Sequence, residues 1–107
     1  MYIFRIFVFI VFIIPFTAKG VTTYGYGTDS CGTWIKERKN KTTISKYHQV
    51  WVLGFISGSS MVLEAHKKIQ NKTDVDAVVA YVDKYCSDKP LADISEASQM
   101  LVVELLR

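Results

Sequence analysis

The sequence is poor in the residues that most often carry out chemistry. Its 107 residues include two cysteines, two histidines and two prolines. A chain of this length forms one domain. The sequence contains neither an internal repeat nor a low-complexity tract, which excludes a repeat protein.

The net charge is small as well. Residues 21–107, which follow an apolar N-terminal segment, hold 11 basic and 10 acidic residues. This balance does not indicate a nucleic-acid partner. The charges are nevertheless unevenly distributed, since residues 21–72 hold eight basic and three acidic residues and residues 73–107 hold three and seven. We expect the two halves to attract each other within the fold, with recognition of one half by a partner as the alternative.

No group of residues has the spacing of a catalytic or metal site. His48 and His66 would lie about 27 Å apart on one straight helix, so we expect each to be a surface or boundary residue. The segment Gly54–Gly58 superficially resembles a hydrolase elbow, but its serine is misplaced and no strand precedes it. Three acids lack the spacing of a calcium site: Asp74, Asp76 and Asp83. The sequence therefore predicts a protein that is not an enzyme and uses neither a metal nor a cofactor.

The N-terminus has the parts of an export signal. Arg5 gives a short positive region, residues 6–16 form an almost unbroken apolar run, and Ala18-Lys19-Gly20 supplies the small residues that a signal peptidase requires. A spanning helix needs roughly 20 apolar residues, about twice this run. We therefore expect residues 1–20 to be a signal peptide cleaved after Gly20, rather than a retained anchor. The mature protein would lie in the periplasm or be secreted, with no membrane segment.

The two cysteines, Cys31 and Cys86, both follow the leader. In an oxidising compartment they have one intramolecular pairing, so the sequence predicts a Cys31–Cys86 disulfide. Closing this loop stabilises the fold by roughly 4 kcal/mol in the chain-entropy model. An intermolecular bond or free thiols are the alternatives.

The hydrophobic periodicity predicts an all-α fold, a small four-helix orthogonal bundle over residues 29–107, preceded by a flexible arm over 21–28. The first helix begins with a cap at Asp29 or Ser30, carries Trp34 inward and ends near Arg38. The third opens at Thr73 with Asp76 completing a capping box. The buried faces predicted for the third and fourth helices comprise Val75, Val78, Val79, Val82 and Cys86, and Leu91, Ile94, Ser98, Leu101, Val102 and Leu105.

The long second helix, about Ser45 to Gln70, has two features of interest. At 100° per residue one face collects Tyr47, Val50, Trp51, Gly54, Gly58, Met61, Val62, Ala65 and Ile69. Each mid-helix glycine costs about 1 kcal/mol relative to alanine. We expect this cost to be offset by a close helix crossing at Gly54 and Gly58, within the chain or between two copies.

The other side of the second helix carries a second apolar stripe formed by Val52, Ile56 and Leu63. A helix that is apolar on two sides either lies centrally in a bundle or carries a partner site. We take these three residues as candidates for binding a client or a partner, with central burial as the alternative.

Residues 30–107 resemble the HdeA/HdeB-type small periplasmic proteins, HdeB especially. The resemblance rests on Cys31 with Trp34 three positions later, on Trp51 in the central helix, and on Tyr81-Val-Asp-Lys-Tyr85-Cys86-Ser-Asp-Lys-Pro90. Residues 51–58 depart from the best-known members. The resemblance implies a helical fold with one disulfide joining helix ends, and acid-activated chaperoning of periplasmic proteins. Protonation of all acids and histidines would give residues 21–107 a charge of about +13, a self-repulsion that can loosen the bundle.

Immunity proteins of type VI secretion peptidoglycan amidases have a similar outline, because they are small, exported, helical and often dimeric. They act by plugging the active site of an effector. We therefore expect an exported, non-enzymatic protein-binding protein, whose partner is a second copy, unfolded clients or a toxin. A structural periplasmic protein is the remaining alternative.

Overall fold

The computed structural model describes residues 22–63 and 73–107, which form helices and no strand. The elements are the 3₁₀ helix η1 (Gly25–Thr28) and the α-helices α1 (Cys31–Asn40), α2 (Thr43–Val62), α3 (Val75–Asp88) and α4 (Ile94–Leu105). The prediction of an all-helical fold with four helices is confirmed. The predicted leader and the predicted continuation of α2 over 64–70, with His66, lie outside the described residues.

A side-chain cap begins each α-helix. The capping oxygen accepts a hydrogen bond from the backbone N–H three residues later, which satisfies one donor of the first turn. The four caps are Ser30, Thr42, Asp74 and Asp93. The cap of α3 lies one residue beyond the predicted Thr73, because the Asp74 carboxylate is the group that accepts the Ala77 N–H, at 2.9 Å.

The core lies among the four α-helices, with Trp34 of α1 fully buried. Most of the faces predicted for α3 and α4 are buried. Val75 and Leu91 are exceptions, 54% and 100% exposed, because Val75 is the first residue of α3 and Leu91 precedes α4. The buried apolar residues are Cys31, Trp34, Val52, Ile56, Val78, Val79, Val82, Cys86, Ile94, Ala97, Leu101, Val102 and Leu105.

The disulfide between Cys31 and Cys86 is confirmed, with the two Cα atoms 4.7 Å apart. It joins the first residue of α1 to the last turn of α3, and both cysteines are fully buried. The backbone N–H groups of Cys31 and Gly32 donate to the carbonyls of Ala92 and Pro90. The loop before α4 therefore satisfies two N–H groups that the start of α1 would otherwise leave unpaired.

Candidate functional site: an uncharged face of α2

One side of α2 faces solvent although it is largely apolar. We call it the uncharged face. Met61 and Val62 are 79% and 81% exposed, and Val50 and Tyr47 are 66% and 47% exposed. The sequence has no charged residue and no histidine from Gln49 to Leu63. The face consists of Tyr47, Val50, Gly54, Ser57, Gly58, Met61 and Val62.

The exposure of these side chains makes the uncharged face a candidate binding surface. The exposed areas of Tyr47, Val50, Met61 and Val62 add up to roughly 500 Å², comparable with the largest apolar patch of a typical monomer, which is often functional. The hydroxyl of Ser57, between the two glycines, donates to the Leu53 carbonyl at 2.8 Å. The face therefore offers a partner apolar contact without a charge to desolvate.

The opposite side of α2 is the side that packs in the bundle. Val52 and Ile56 are 1% and 5% exposed and belong to the core, so a partner cannot reach them in the folded chain. Leu63 is 50% exposed but follows the last residue of α2. Of the two readings that the sequence left open for Val52 and Ile56, the folded chain therefore has central burial, and neither side chain is accessible to a client without loosening of the bundle.

The two glycines of α2 lie open on the uncharged face. A Cβ placed on Gly54 or Gly58 would meet no atom within 4 Å among the residues described. The expected crossing of these glycines by another helix of the same described chain is therefore absent. A crossing between two copies remains the other half of that prediction.

The residues before α1 pack beside the uncharged face rather than forming the expected flexible arm. Nε1 of Trp51 donates to the Tyr24 carbonyl at 2.9 Å, and the rings of Tyr26 and Tyr47 lie 5.4 Å apart. A Cβ at Gly27 would overlap the indole ring of Trp51. The close approach of that ring requires glycine here and fixes η1 against α2.

His48 is fully buried, contrary to the expectation of a surface or boundary position. Its Nε2 lies 2.8 Å from a carboxylate oxygen of Asp29, and its ring stacks on Trp34 with the centroids 6.0 Å apart. Nδ1 is buried and has no hydrogen-bond partner among the described residues. Because the ring has no access to solvent, a substrate cannot approach it, and the pair ties the residue that follows η1 to α2.

Asp83 of α3 accepts hydrogen bonds from two side chains of α1. Nε1 of Trp34 donates at 2.7 Å, and Nε and Nη2 of Arg38 donate at 2.9 and 2.8 Å. Burial alone would raise the pKa of Asp83, but the hydrogen bonds from Arg38 and Trp34 outweigh it and hold this pKa below its usual 3.8. Among the ion pairs of residues 22–63 and 73–107, Arg38–Asp83 is the one that joins the basic half to the acidic half.

The end of α1 carries a shallow basic cleft of about 390 Å³, lined by Arg38, Lys39, Lys41 and Asp83 among others. The charge of Arg38 is engaged by Asp83, whereas Lys39 and Lys41 are exposed. Lys41 adopts a left-handed conformation with φ of 52°, and its N–H donates to carbonyls of the last turn of α1. Positive charge at this end of α1 suits the helix dipole.

Two further findings concern the part of the chain that the structure describes. No three His, Cys, Asp or Glu side chains in it come together as metal ligands. None of its helices combines the length and apolarity needed to cross a bilayer. In comparisons with known proteins, no family model, curated protein or solved structure matches the chain.

Proposed function

We propose that this chain is an exported, non-enzymatic protein-binding protein whose binding surface is the uncharged face of α2. The observation that carries this proposal is the exposure of Val50, Met61 and Val62 on a helix with no charged residue from Gln49 to Leu63. Apolar side chains exposed together on one face of a helix are costly to leave in water, and an interaction site is a common explanation for them.

The surroundings of the potentially reactive groups support binding rather than catalysis. Cys31 and Cys86 are joined in the disulfide and therefore supply no thiolate nucleophile. His48 is paired with Asp29 and closed from solvent. Asp83 is engaged by Arg38 and Trp34, so its carboxylate serves the bundle.

Within this class we propose an HdeA/HdeB-like periplasmic role, including chaperoning under acid stress. The short helical chain with a buried disulfide supports this reading, since the crosslink would keep a loosened chain partly compact. Asp83 adds a specific acid-labile tie between α1 and α3, because its lowered pKa means that its contribution is lost in acid. Loosening would then add Val52 and Ile56 to the apolar surface offered to clients.

The test uses the chain expressed with its own leader and purified from the periplasm of the producing bacteria. Its intact mass should correspond to a start at Val21 and to one disulfide. We expect it to suppress aggregation of a model client near pH 2–3 and not at pH 7. Met61→Lys should weaken suppression, whereas Ala80→Lys, at an exposed position of α3, should leave it intact. Absence of suppression at both pH values contradicts the chaperone role.

An immunity-type inhibitor is the second candidate, and one observation favours it. The uncharged face is already exposed in the folded chain, so binding through it requires no acid and no unfolding. This reading predicts one stoichiometric protein partner at pH 7, recovered by native pull-down from the periplasm and lost with Met61→Lys. Many partners of varied identity, recovered only after acidification, would support the chaperone instead.

A further inference from the structure

The central ridge of the uncharged face is a row of every fourth residue that reads Val, Gly, Gly, Val in both directions. Val50, Gly54, Gly58 and Val62 are spaced four residues apart and form one i, i+4 row along α2. The row places two exposed valines at its ends and two glycines at its centre. It therefore presents the same profile when it is read from either end.

The two glycines have no explanation within the described chain. Each costs about 1 kcal/mol relative to alanine in a helix interior. Neither has a positive φ, and a Cβ at either position would meet nothing within 4 Å. Backbone conformation and internal packing thus give no reason for glycine here. Close approach of another backbone to the exposed side is the remaining physical reason.

We propose that the occupant of this ridge is a second copy of the chain, packed antiparallel across a two-fold axis at the level of Ile56. A two-fold interface is self-complementary, so if residue i contacts residue j of the partner subunit, residue j also contacts residue i of the partner subunit. Antiparallel packing sets Val50 against Val62 of the partner subunit and Gly54 against Gly58 of the partner subunit. Rows spaced four residues apart interdigitate at a crossing angle of roughly 50°.

The charge and polarity of the face favour a second copy. A two-fold axis brings like groups together, and like charges close to the axis would repel each other. The ridge and its surroundings from Gln49 to Leu63 carry no charge. Ser57 already donates its hydroxyl proton to the Leu53 carbonyl, so burying it leaves no unpaired donor.

The exposed area of the face suits a small interface between two copies. The four large side chains expose roughly 500 Å² and the glycines and Ser57 add to it, against about 800 Å² per partner in a standard stable interface. A helix pair that crosses at glycines buries backbone as well as side-chain surface. Interfaces smaller than the standard size are typical of weak association, so we expect a reversible dimer.

The inference rests on the proposed function, because it names a second copy as one partner of the same face. The test is sedimentation equilibrium of the periplasmic protein at pH 7, from about 1 to 300 µM. The wild-type chain should approach twice the mass of one mature chain. The double variant Gly54→Gln/Gly58→Gln should be shifted towards the monomer at every concentration, with a Kd raised at least about 30-fold, equivalent to about 2 kcal/mol.

Two controls separate loss of the interface from loss of the fold. Glutamine is a better helix former than glycine, so the double variant should unfold at the same temperature as the wild-type monomer or higher. Ala80→Gln adds the same side chain to an exposed position of α3 and should leave dimerisation unchanged. A monomeric wild-type chain over the whole range, or a double variant that dimerises as well as the wild type, overturns the proposal.

The register is tested by engineered crosslinking. A mixture of Val50→Cys and Val62→Cys chains should form a disulfide between the two variants, and neither variant should crosslink to itself. Efficient Val50→Cys self-crosslinking overturns the antiparallel arrangement. If the chain is monomeric but Met61→Lys still abolishes binding of another protein, the second-copy inference fails while the proposed function stands.

Discussion

Replacing Asp83 by alanine removes the acceptor of three hydrogen bonds that join α1 to α3. The change leaves Nε1 of Trp34 buried without a partner, since the Trp34 side chain is fully buried. It also releases Arg38, whose ion pair with Asp83 has a short N–O distance of 2.8 Å. The disulfide next to this site still holds the two helices together, so the variant should fold.

The expected loss is the sum of a large and a small contribution. An unsatisfied buried N–H costs about 1–3 kcal/mol. The ion pair contributes at most about 1 kcal/mol because both side chains are more than a third exposed and are screened by solvent. We expect Asp83→Ala to lower the free energy of unfolding by about 2–3 kcal/mol, a substantial part of the roughly 5–10 kcal/mol of a domain this small.

The pH dependence of this loss has a definite sign. The pKa of Asp83 is lower in the folded chain than its usual 3.8, because Arg38 and Trp34 outweigh the opposite effect of burial. A lowered folded-state pKa means that the stabilisation is fully present above the unfolded pKa and disappears as the pH falls through the folded one. The difference between wild type and variant should therefore be constant from pH 7 to about pH 5 and shrink below about pH 4.

The assay is urea denaturation with the disulfide intact, followed by circular dichroism at a series of pH values. Asp88→Ala is the matched control, since Asp88 lies on the same helix but pairs with Lys84 at the exposed surface. That control should change the free energy of unfolding by less than about 0.5 kcal/mol. An Asp83→Ala variant as stable as the control, or a difference that does not narrow in acid, would refute the reasoning.

Three further changes have defined outcomes. Gly27→Ala should lower the free energy of unfolding, measured by thermal unfolding, by about 1–3 kcal/mol, because its Cβ overlaps Trp51. Gly32→Ala is the control, since its Cβ has room and should not lower the stability. The Cys31→Ser/Cys86→Ser chain should lose roughly 4 kcal/mol in urea denaturation relative to the oxidised wild type; a loss under about 1 kcal/mol would contradict the chain-entropy argument. His48→Ala should cost about 2–4 kcal/mol through a cavity, and His48→Leu much less; equal losses would show that the tie to Asp29, not packing, dominates.

The helices and the disulfide could be predicted from local signals. Ser30 and Asp93 are favourable capping residues, and the spacing of the apolar residues in α3 and α4 is that of amphipathic helices. Two cysteines leave one intramolecular pairing. The caps and the apolar spacing depend on residues close in sequence, and the disulfide has a single possible pairing within the chain. Neither prediction therefore needs tertiary information.

The orientation of α2 could not be predicted in this way. Its two sides are both apolar, so hydrophobicity does not decide which one is buried. The grouping of Val50, Gly54, Gly58 and Val62 on one face was right, but the side that carries Val52 and Ile56 is the one in the core. Three polar residues share that buried side: Ser45, His48 and Ser60. The ring of His48 is hydrogen-bonded to the Asp29 carboxylate, and the hydroxyl of Ser60 donates to the Ser57 carbonyl.

Two contacts near the face depend on residues distant in sequence. His48 is buried because Asp29 supplies a carboxylate nineteen positions away. Gly27 is required because the Trp51 ring packs on it. Neither His48 nor Gly27 belongs to a recognisable sequence motif. Their contacts arise because η1 and the residue after it pack against α2.

The central claim, that the uncharged face of α2 binds protein, is tested most directly by site-specific photo-crosslinking in the producing bacteria. A photoreactive amino acid would replace Met61, and the same group at Ala80 on α3 would serve as the control. We predict a discrete protein adduct from position 61, of twice the chain mass if the partner is a second copy, and none from position 80. The absence of any adduct from position 61 in a folded, exported chain would contradict the claim.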